Sequence, residues 1–95
     1  MAAIYAGSAN YIPKNTTKTI HSKAGKLRSF IITGDGNATV TFYDNTSATG
    51  TILLVMDYTY YPLIFEFDKL MPLVFTTGLT IVTSANGRCF VITEA

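Results

Sequence analysis

The sequence predicts an all-β protein, and three observations lead to that fold class. No stretch has the apolar spacing of an amphipathic helix, whereas β-branched residues are abundant, with fifteen Thr among 95 residues. Apolar and polar residues alternate along several short segments. Turn residues separate these segments every eight to twelve positions, as in antiparallel sandwiches and small barrels. We predict a single-domain antiparallel β-sandwich or small barrel of about six to eight strands, with an extended N-terminal arm.

The first thirteen residues, MAAIYAGSANYIP, differ in pattern from the rest of the chain. They carry no charge, and they lack the basic segment and apolar run of a secretory signal. Their largest apolar side chains are Ile4, Tyr5, Tyr11 and Ile12. Because termini usually fray unless they are held, we predict that residues 1–13 form an arm pinned on a neighbouring molecule, either another copy of the chain or a different protein of the same assembly. Residues 14–95 then form the β domain.

The first predicted strands are TKTIHSK and KLRSFIITG. In the second, strict alternation places Leu27 and Ile31 on one face and Phe30 and Ile32 on the other. The turn GDGN follows and can supply the positive φ angles that a tight reversal needs. ATVTFYD comes next, with Val40 and its alternate neighbours directed inward.

Two later strands, TILLVMDY and LIFEFD, break the inside/outside pattern: TILLVM is apolar on both faces, and LIFEF nearly so. In a large sandwich this pattern indicates a central, covered strand, but 95 residues leave little to cover a second face. We therefore expect a partner subunit to cover part of these strands. PLVFTTGLTIVTSA is long enough for two strands or for one strand bent at Gly78. The Asn86–Gly87 pair is then the strongest hairpin signal in the chain, leading into RCFVITEA.

Charge is sparse and unevenly placed. Only 14% of residues are charged and 48% are hydrophobic, against about 25% charged in typical soluble domains. Five of the seven basic residues fall between positions 14 and 28, and no acid precedes Asp35. A basic segment can bind nucleic acid, but no aromatic platform is interleaved with it, so we expect no nucleic-acid partner. Contact between basic and acidic surfaces of successive copies fits these charges and suits head-to-tail assembly.

No residue set is arranged for catalysis or for holding a metal. His21 is the single histidine, and neither it nor Ser22 has an acid within a dozen positions. Glu66 and Asp68 share a strand face, but a hard cation needs more oxygen ligands. One cysteine, Cys89, excludes an intrachain disulfide and a paired-cysteine zinc site. We predict no enzyme activity, cofactor, metal or small-molecule substrate. The apolar runs are strand-sized, so we also expect no membrane span.

The segment YTYYP at positions 58–62 holds half of the six tyrosines. Clustered tyrosines can stack on sugar rings, and they also anchor protein interfaces at low entropic cost. Because apolar strands flank the segment on both sides, we favour the interface. The residues predicted to form an interface are Ile4, Tyr5, Tyr11, Ile12, Tyr58, Tyr60 and Tyr61.

Two longer runs resemble small structural proteins of tailed bacteriophages and prophages: AGKLRSFIITGDGNATVTFYDNTSATGTILL and LIFEFDKLMPLVFTTGLTIVTSANGRCFVITEA. Those proteins have a Gly before a short apolar strand, a TVTxYDNTSASGT-like turn, and GLTVVTSG before a closing strand. The resemblance covers about residues 24–95 and leaves out the arm and the tyrosine cluster. The matching positions are Gly25, Leu27, Tyr43, Asp44, Asn45, Gly50, Gly78, Leu79 and Thr80.

This resemblance implies a virion protein, and specifically a head decoration, or cement, protein. Such proteins sit as trimers on the outside of the shell and brace neighbouring capsomers. The implied partners are the major capsid protein and copies of this chain as a homotrimer. The implied location is the outer surface of the capsid, after synthesis in the host cytoplasm. Two alternatives stay open: a tail or fibre module that binds a host receptor or glycan, and a tail or connector component.

Overall fold

The computed structural model describes residues 8–34, 36–58, 63–67 and 73–94. These residues form nine strands in two antiparallel sheets, which confirms the prediction of an all-β fold. Among them there is no helix long and apolar enough to cross a membrane. The strands are β1 (Ser8–Ile12), β2 (Thr17–His21), β3 (Gly25–Gly34), β4 (Ala38–Asp44), β5 (Thr51–Tyr58), β6 (Leu63–Glu66), β7 (Leu73–Phe75), β8 (Leu79–Thr83) and β9 (Gly87–Glu94).

The two sheets pack as a sandwich with jelly-roll topology. Sheet A has the order β1-β9-β3, and β6 and β7 occupy successive parts of the remaining edge of β3. Sheet B has the order β2-β8-β4-β5. Successive strands cross between the sheets except at β4–β5 and β6–β7, which is the double Greek-key arrangement of a jelly roll. Nine strands exceed the predicted six to eight because short strands share one edge position.

The core lies between the sheets and is built from alternate residues of both. Phe30 of sheet A packs against Phe42 of sheet B, with ring centroids 5.2 Å apart. Side chains this large supply most of the apolar area that holds two sheets together. The buried apolar residues are Ile12, Leu27, Phe30, Ile32, Ala38, Val40, Phe42, Phe75, Leu79, Ile81, Cys89 and Val91.

The N-terminal segment differs from the predicted arm. Ser8–Ile12 pairs with β9 of its own chain over five residues, and Ile12 is fully buried in the core. Just after β1, the hydroxyl of Thr83 donates to the carbonyl of Pro13 and accepts the amide of Thr16. This link secures the crossing from sheet A to sheet B. The sandwich therefore begins within residues 1–13, because Ile12 fills a core position. Residues 1–7 lie outside the described part.

A β-bulge corrects the predicted alternation of β3. The register with β9 shifts between Leu27 and Ser29, so one extra residue is accommodated there. Leu27 and Phe30 consequently both face the core, although strict alternation had put them on opposite faces. Ile31 lies on the outer face of sheet A, opposite to Leu27.

Neither glycine turn forms the reversal that local sequence predicted. β3 and β4 lie in different sheets, as do β8 and β9, so GDGN and Asn86–Gly87 connect sheets instead of closing hairpins. Gly87 has no positive φ, and its amide donates to the carbonyl of Ser84 at 3.2 Å. A Cβ at Gly87 would lie 2.9 Å from the Cβ of Ala38. Glycine is required here for close approach of the two sheets. Among the described residues, β4 and β5 are the strands that follow each other in the chain and pair as a hairpin, and their connection contains Gly50 at φ 83°.

The two strands that are apolar on both faces lie at sheet edges. β5 is the last strand of sheet B, and β6 lies at the edge of sheet A. Leu54 of β5 packs against the core, whereas Ile52 and Val55 are about half exposed. The outward apolar side chains of these strands are therefore not covered by another layer of the described residues. Their predicted cover by a partner subunit stays a prediction.

Candidate interaction surface

An apolar row crosses the outer face of sheet A through all four strand positions. Tyr11 of β1 is paired with Phe90 of β9, Phe90 with Ile31 of β3, and Ile31 with Ile64 of β6. Residues directly opposite each other on neighbouring strands project from the same face. We call these four residues the outer apolar row. The sheet register therefore brings together side chains that are up to 79 positions apart in the sequence.

All four side chains of the row are substantially exposed. Their exposed fractions are 40% for Tyr11, 47% for Phe90, 39% for Ile31 and 65% for Ile64. The rings of Tyr11 and Phe90 lie 4.7 Å apart and are tilted by 34°, which fixes the two largest side chains against each other. Scattered single apolar residues are normal on a protein surface, but a contiguous patch marks an interaction site.

Charged residues border the row on both sides along the strands. Two residues along β3 from Ile31 in one direction, Thr33 is paired with Arg88. Two residues in the other direction, Ser29 is paired with Glu66. Further in that direction, Arg28 and Glu94 form an ion pair at 3.1 Å. An apolar centre with a polar, partly charged rim is the usual composition of a protein interface.

The outer face of sheet B is different in character. Its corresponding cross-strand row runs through Thr17, Val82, Thr41 and Val55, so hydroxyl-bearing residues alternate with single apolar ones. Val55 is 53% exposed but has Thr41 as its cross-strand neighbour. The apolar surface of the described residues is therefore most continuous on sheet A.

Most positions that carry the bacteriophage resemblance lie at or beside the β4–β5 and β7–β8 connections, whereas Gly25 and Leu27 lie in β3. The carboxylate of Asp44, at the end of β4, accepts the amides of Thr76 at 3.0 Å and Thr77 at 2.8 Å, and that of Gly78 at 3.4 Å. It also accepts the hydroxyl of Thr76 at 3.0 Å. Partial burial by itself raises the pKa of the Asp44 carboxyl, but these hydrogen bonds outweigh it and the net pKa is lowered.

Neighbouring positions of the motif complete the same contact. The hydroxyl of Thr80 donates to the backbone carbonyl of Asn45 at 2.9 Å, and the side-chain amide of Asn45 donates to the carbonyl of Thr49 at 3.0 Å. A Cβ at Gly78 would lie 2.7 Å from the carbonyl oxygen of His21. The YDN and TGLT pieces thus join the β4–β5 and β7–β8 connections. We interpret them as residues that maintain the scaffold.

The residues predicted to form an interface are only partly described. Tyr11 belongs to the outer apolar row, whereas Ile12 is fully buried in its own chain and leaves no surface for a partner. Tyr58 ends β5, with only its backbone placement described. Ile4, Tyr5, Tyr60 and Tyr61 lie outside the described residues. The interface role of the set stays a prediction.

The remaining chemically capable side chains have structural surroundings. His21 Nε2 lies 2.6 Å from the hydroxyl of Thr93, and its ring centroid is 5.4 Å from that of Phe75. Cys89 is buried, and desolvation raises the pKa of its thiol to about 12. In the described ranges, no group of three or more His, Cys, Asp or Glu could hold a metal ion.

Sequence reasoning missed Phe90, Ile31 and Ile64 as surface residues. One available signal was the alternation in RCFVITEA, where Phe90 has the opposite parity to Cys89 and Val91 and so projects from the other face. For Ile31 the bulge in β3 hid the equivalent signal. That the three side chains are neighbours depends on strand register, which local patterns do not contain.

No protein-family model matches the chain, and no curated protein matches it either. A solved structure from work describing Bacillus endospore appendages as a novel family of disulfide-linked pili is similar over 100% of this chain and 96% of that chain. The TM-score is 0.50 and the sequence identity 14%. At this identity the likeness concerns the fold alone.

Proposed function

We propose that this chain is a non-catalytic structural subunit of a bacteriophage virion, acting as a capsid decoration protein that stabilises the shell through subunit contacts. The observation that carries the proposal is the outer apolar row, whose four exposed side chains project from one face of sheet A. Burying such a face removes apolar surface from water at roughly 25 cal/mol per Å². A protein that functions by adhesion needs this surface and a rigid support, and it needs no reactive group.

The sandwich beneath this face has a packed core and satisfied buried polar groups. In the described part of the chain, every buried side-chain nitrogen or oxygen has a hydrogen-bond partner. Fully satisfied polar groups and a close-packed core favour a single rigid conformation. A rigid face gives up little conformational entropy when it docks, so more of the gain from apolar burial is retained. This property suits a subunit that must fit many equivalent positions.

The bacteriophage resemblance adds the virion context. The residues that carry this resemblance, such as Asp44 and Thr80, join two loops of the sandwich. The resemblance therefore supports most strongly a fold shared with those bacteriophage proteins. The partners that we propose are the major capsid protein and further copies of the chain, with the homotrimer that the resemblance implies. The proposed location is the outer surface of the capsid.

A second candidate, a subunit of an extracellular appendage, is favoured by the likeness to the endospore pilus protein. The buried cysteine argues against a disulfide-linked fibre of this chain. The pili in that description are disulfide-linked, whereas Cys89 is buried in the core with its pKa raised to about 12. A disulfide through Cys89 requires β9 to be displaced. If this chain formed fibres, we would therefore expect them to resist reducing agents.

The proposal is tested by restoring particles that lack this chain. Phage particles made without the reading frame should bind purified protein in a saturable way and gain resistance to heat. An Ile31→Lys variant should bind far less, because it places a charge in the centre of the outer apolar row. Thr17→Lys adds the same charge at an exposed site of β2 on sheet B, away from every predicted interface, and should bind normally. Absence of binding by the wild-type chain would contradict the decoration role.

A further inference from the structure

We propose that the edge of β5 that faces away from β4, its free edge, pairs with residues 1–7 of a neighbouring copy, which add one strand to sheet B. This inference rests on the proposed function, because it names the contact between copies in the homotrimer. It leaves the outer apolar row uncovered for the capsid. Three features lead to it: the backbone of β5, its side chains and the position of Ser8.

The backbone of β5 has hydrogen-bonding groups directed to its free edge. β5 ends sheet B, and in the described part of the chain its eight residues pair only with β4. The amide of Ser84 donates to the carbonyl of Thr39 at 3.1 Å, so the backbone of Thr39 faces β8. Because successive residues point to opposite neighbours, Val40 faces β5, where its partner is Met56. The amide and carbonyl of the preceding residue, Val55, therefore point to the free edge.

The side chains of β5 also offer apolar surface to a further strand. Ile52 and Val55 are about half exposed. Leu54 and Met56 pack against the core but are only half-buried, because β5 is the last strand of its sheet. A strand added at the free edge would cover apolar side chains on both faces of β5 at once. Long apolar edge strands are the ones that pair with another chain.

The other sheet edges among the described residues are shorter, and β2 is protected. β1 and β2 have five residues each, β6 four and β7 three. β2 contains Lys18, and its register shifts between Thr19 and His21. Lysines and bulges keep an edge strand from pairing with another chain. β5 contains no lysine, and its register with β4 is continuous from Leu54 to Tyr58.

Residues 1–7 cannot lie along β5 of their own chain. They precede Ser8 in β1, which is linked at Pro13 to the β2 side of the sandwich, whereas β5 is at the opposite end of sheet B. Four strand spacings of about 4.8 Å and a sheet separation of about 10 Å put the free edge roughly 22 Å away. Seven extended residues span about 23 Å, so reaching the edge leaves none to pair with it. A segment 1–7 that pairs with β5 therefore belongs to another copy.

The composition of residues 1–7, MAAIYAG, suits an added strand. The segment has no charge, and Ile4 and Tyr5 have high β propensity. Adjacent side chains of a strand point to opposite faces, so one of the two lies beside Val55 and the other beside Leu54 and Met56. Passing the segment from each copy to the next is a heterologous contact. Such a contact closes into a ring, as a homotrimer requires.

The test is the mass of the purified full-length chain in solution, measured by light scattering after size exclusion. We expect the wild type to have three times 10.3 kDa at concentrations up to about 100 µM, above the micromolar affinities at the weak end of protein interfaces. Val55→Pro should give single chains, because it removes an amide that points to the free edge. The fold tolerates proline on an edge strand when the lost amide faces outward.

Thr17→Pro is the matched control on the other edge of sheet B. The amide of Thr83 donates to the carbonyl of Thr16 at 2.8 Å, so the amide of Thr17 points away from β8. Thr17 is also the first residue of β2, a position where proline is tolerated. This variant removes an edge amide without changing β5, and it should leave the trimer intact.

A variant of the segment itself identifies the occupant and keeps the test decisive if Val55→Pro does not fold. Successive amides of a strand point to opposite sides, so Ile4→Pro combined with Tyr5→Pro removes one amide from the paired side in either register. This full-length double variant should be monomeric. Its Val55 amide should exchange hydrogen at least about tenfold faster than in the wild type, as measured by nuclear magnetic resonance.

The outcomes separate this inference from the decoration role. A wild-type chain that is monomeric throughout the concentration series would overturn the inference. So would a trimer that the double-proline variant leaves intact, since another segment would then hold the copies together. Monomers that bind particles in a saturable way would overturn only the inference. A trimer that the double variant abolishes, but that never binds particles, would support the inference and contradict the decoration role.

Discussion

Replacing Asp44 with Ala should lower the free energy of unfolding by about 2 kcal/mol. The carboxylate accepts two short amide hydrogen bonds, at 3.0 Å from Thr76 and 2.8 Å from Thr77, together with a long one from Gly78 at 3.4 Å. A capping carboxylate that accepts one amide contributes roughly 1 kcal/mol. Two short contacts therefore contribute about 2 kcal/mol, and we add nothing for the partly exposed hydroxyl bond.

Thermal and urea unfolding, followed by circular dichroism, measure this change. A loss of about 2 kcal/mol corresponds to a fall in Tm of roughly 8–16 °C in a domain of this size. Asp57→Ala is the matched control, because Asp57 lies on the neighbouring strand β5 and accepts a hydroxyl bond from Thr39 at 3.0 Å. It removes the same charge but should cost less than about 0.5 kcal/mol.

The pH dependence gives an independent check on the Asp44 contact. Its folded-state pKa is lowered from the ordinary value of 3.8. The ionised group therefore stabilises the fold fully above its unfolded pKa, and this contribution is lost as the pH falls through the folded pKa. The stability difference between wild type and Asp44→Ala should be constant above about pH 5 and shrink below about pH 4. Equal losses in both Asp variants, or a difference that does not shrink in acid, would refute the reasoning.

Three further variants or measurements test other parts of the fold. Gly25→Ala should destabilise strongly, since its Cβ would lie 2.5 Å from the carbonyl oxygen of Glu94, whereas Gly36→Ala has ordinary spacing and should be nearly neutral in urea unfolding. Ile12→Ala should cost about 3 kcal/mol as a core truncation; a loss below about 0.5 kcal/mol would mean that β1 is a detachable arm. Cys89 should react with a thiol reagent only after unfolding, because it is buried and its pKa is raised to about 12; rapid labelling of the folded protein would contradict its core position.

The strands were the most predictable part of the fold. ATVTFYD alternates as expected, with Val40 and Phe42 buried, and TILLVMDY matches β5 from Thr51 to Tyr58. Period-two alternation works here because each strand has one face on the core and one facing outward. The bulge in β3 could not be seen in the same way, since it depends on the register with β9.

Strand pairing was much less predictable. Asn86–Gly87 has the composition of a hairpin turn, yet it connects the sheets because β9 pairs with β1 and β3. A local turn signal reports what the backbone can do, whereas the pairing partner is decided by contacts between distant segments. The inclusion of β1 in the sandwich follows from the same long-range pairing.

The candidate surface could be predicted in kind but not in position. Low charge and excess apolar residues indicated an interface, and Tyr11 was among the residues named for it. Ile31, Phe90 and Ile64 become neighbours of Tyr11 only through the register of sheet A. Each of them, taken alone, is an ordinary strand residue, so no local pattern distinguishes it from the core.

The most direct test of the proposed structural role is the copy number of this chain, by quantitative mass spectrometry, in particles purified from the phage or prophage that we propose as its source. A decoration protein covers equivalent sites across the shell, so we expect a number comparable to that of the major capsid protein. A number far below it would place the chain in a tail or connector and contradict decoration. Absence of the chain from the particles would contradict the proposed virion role altogether.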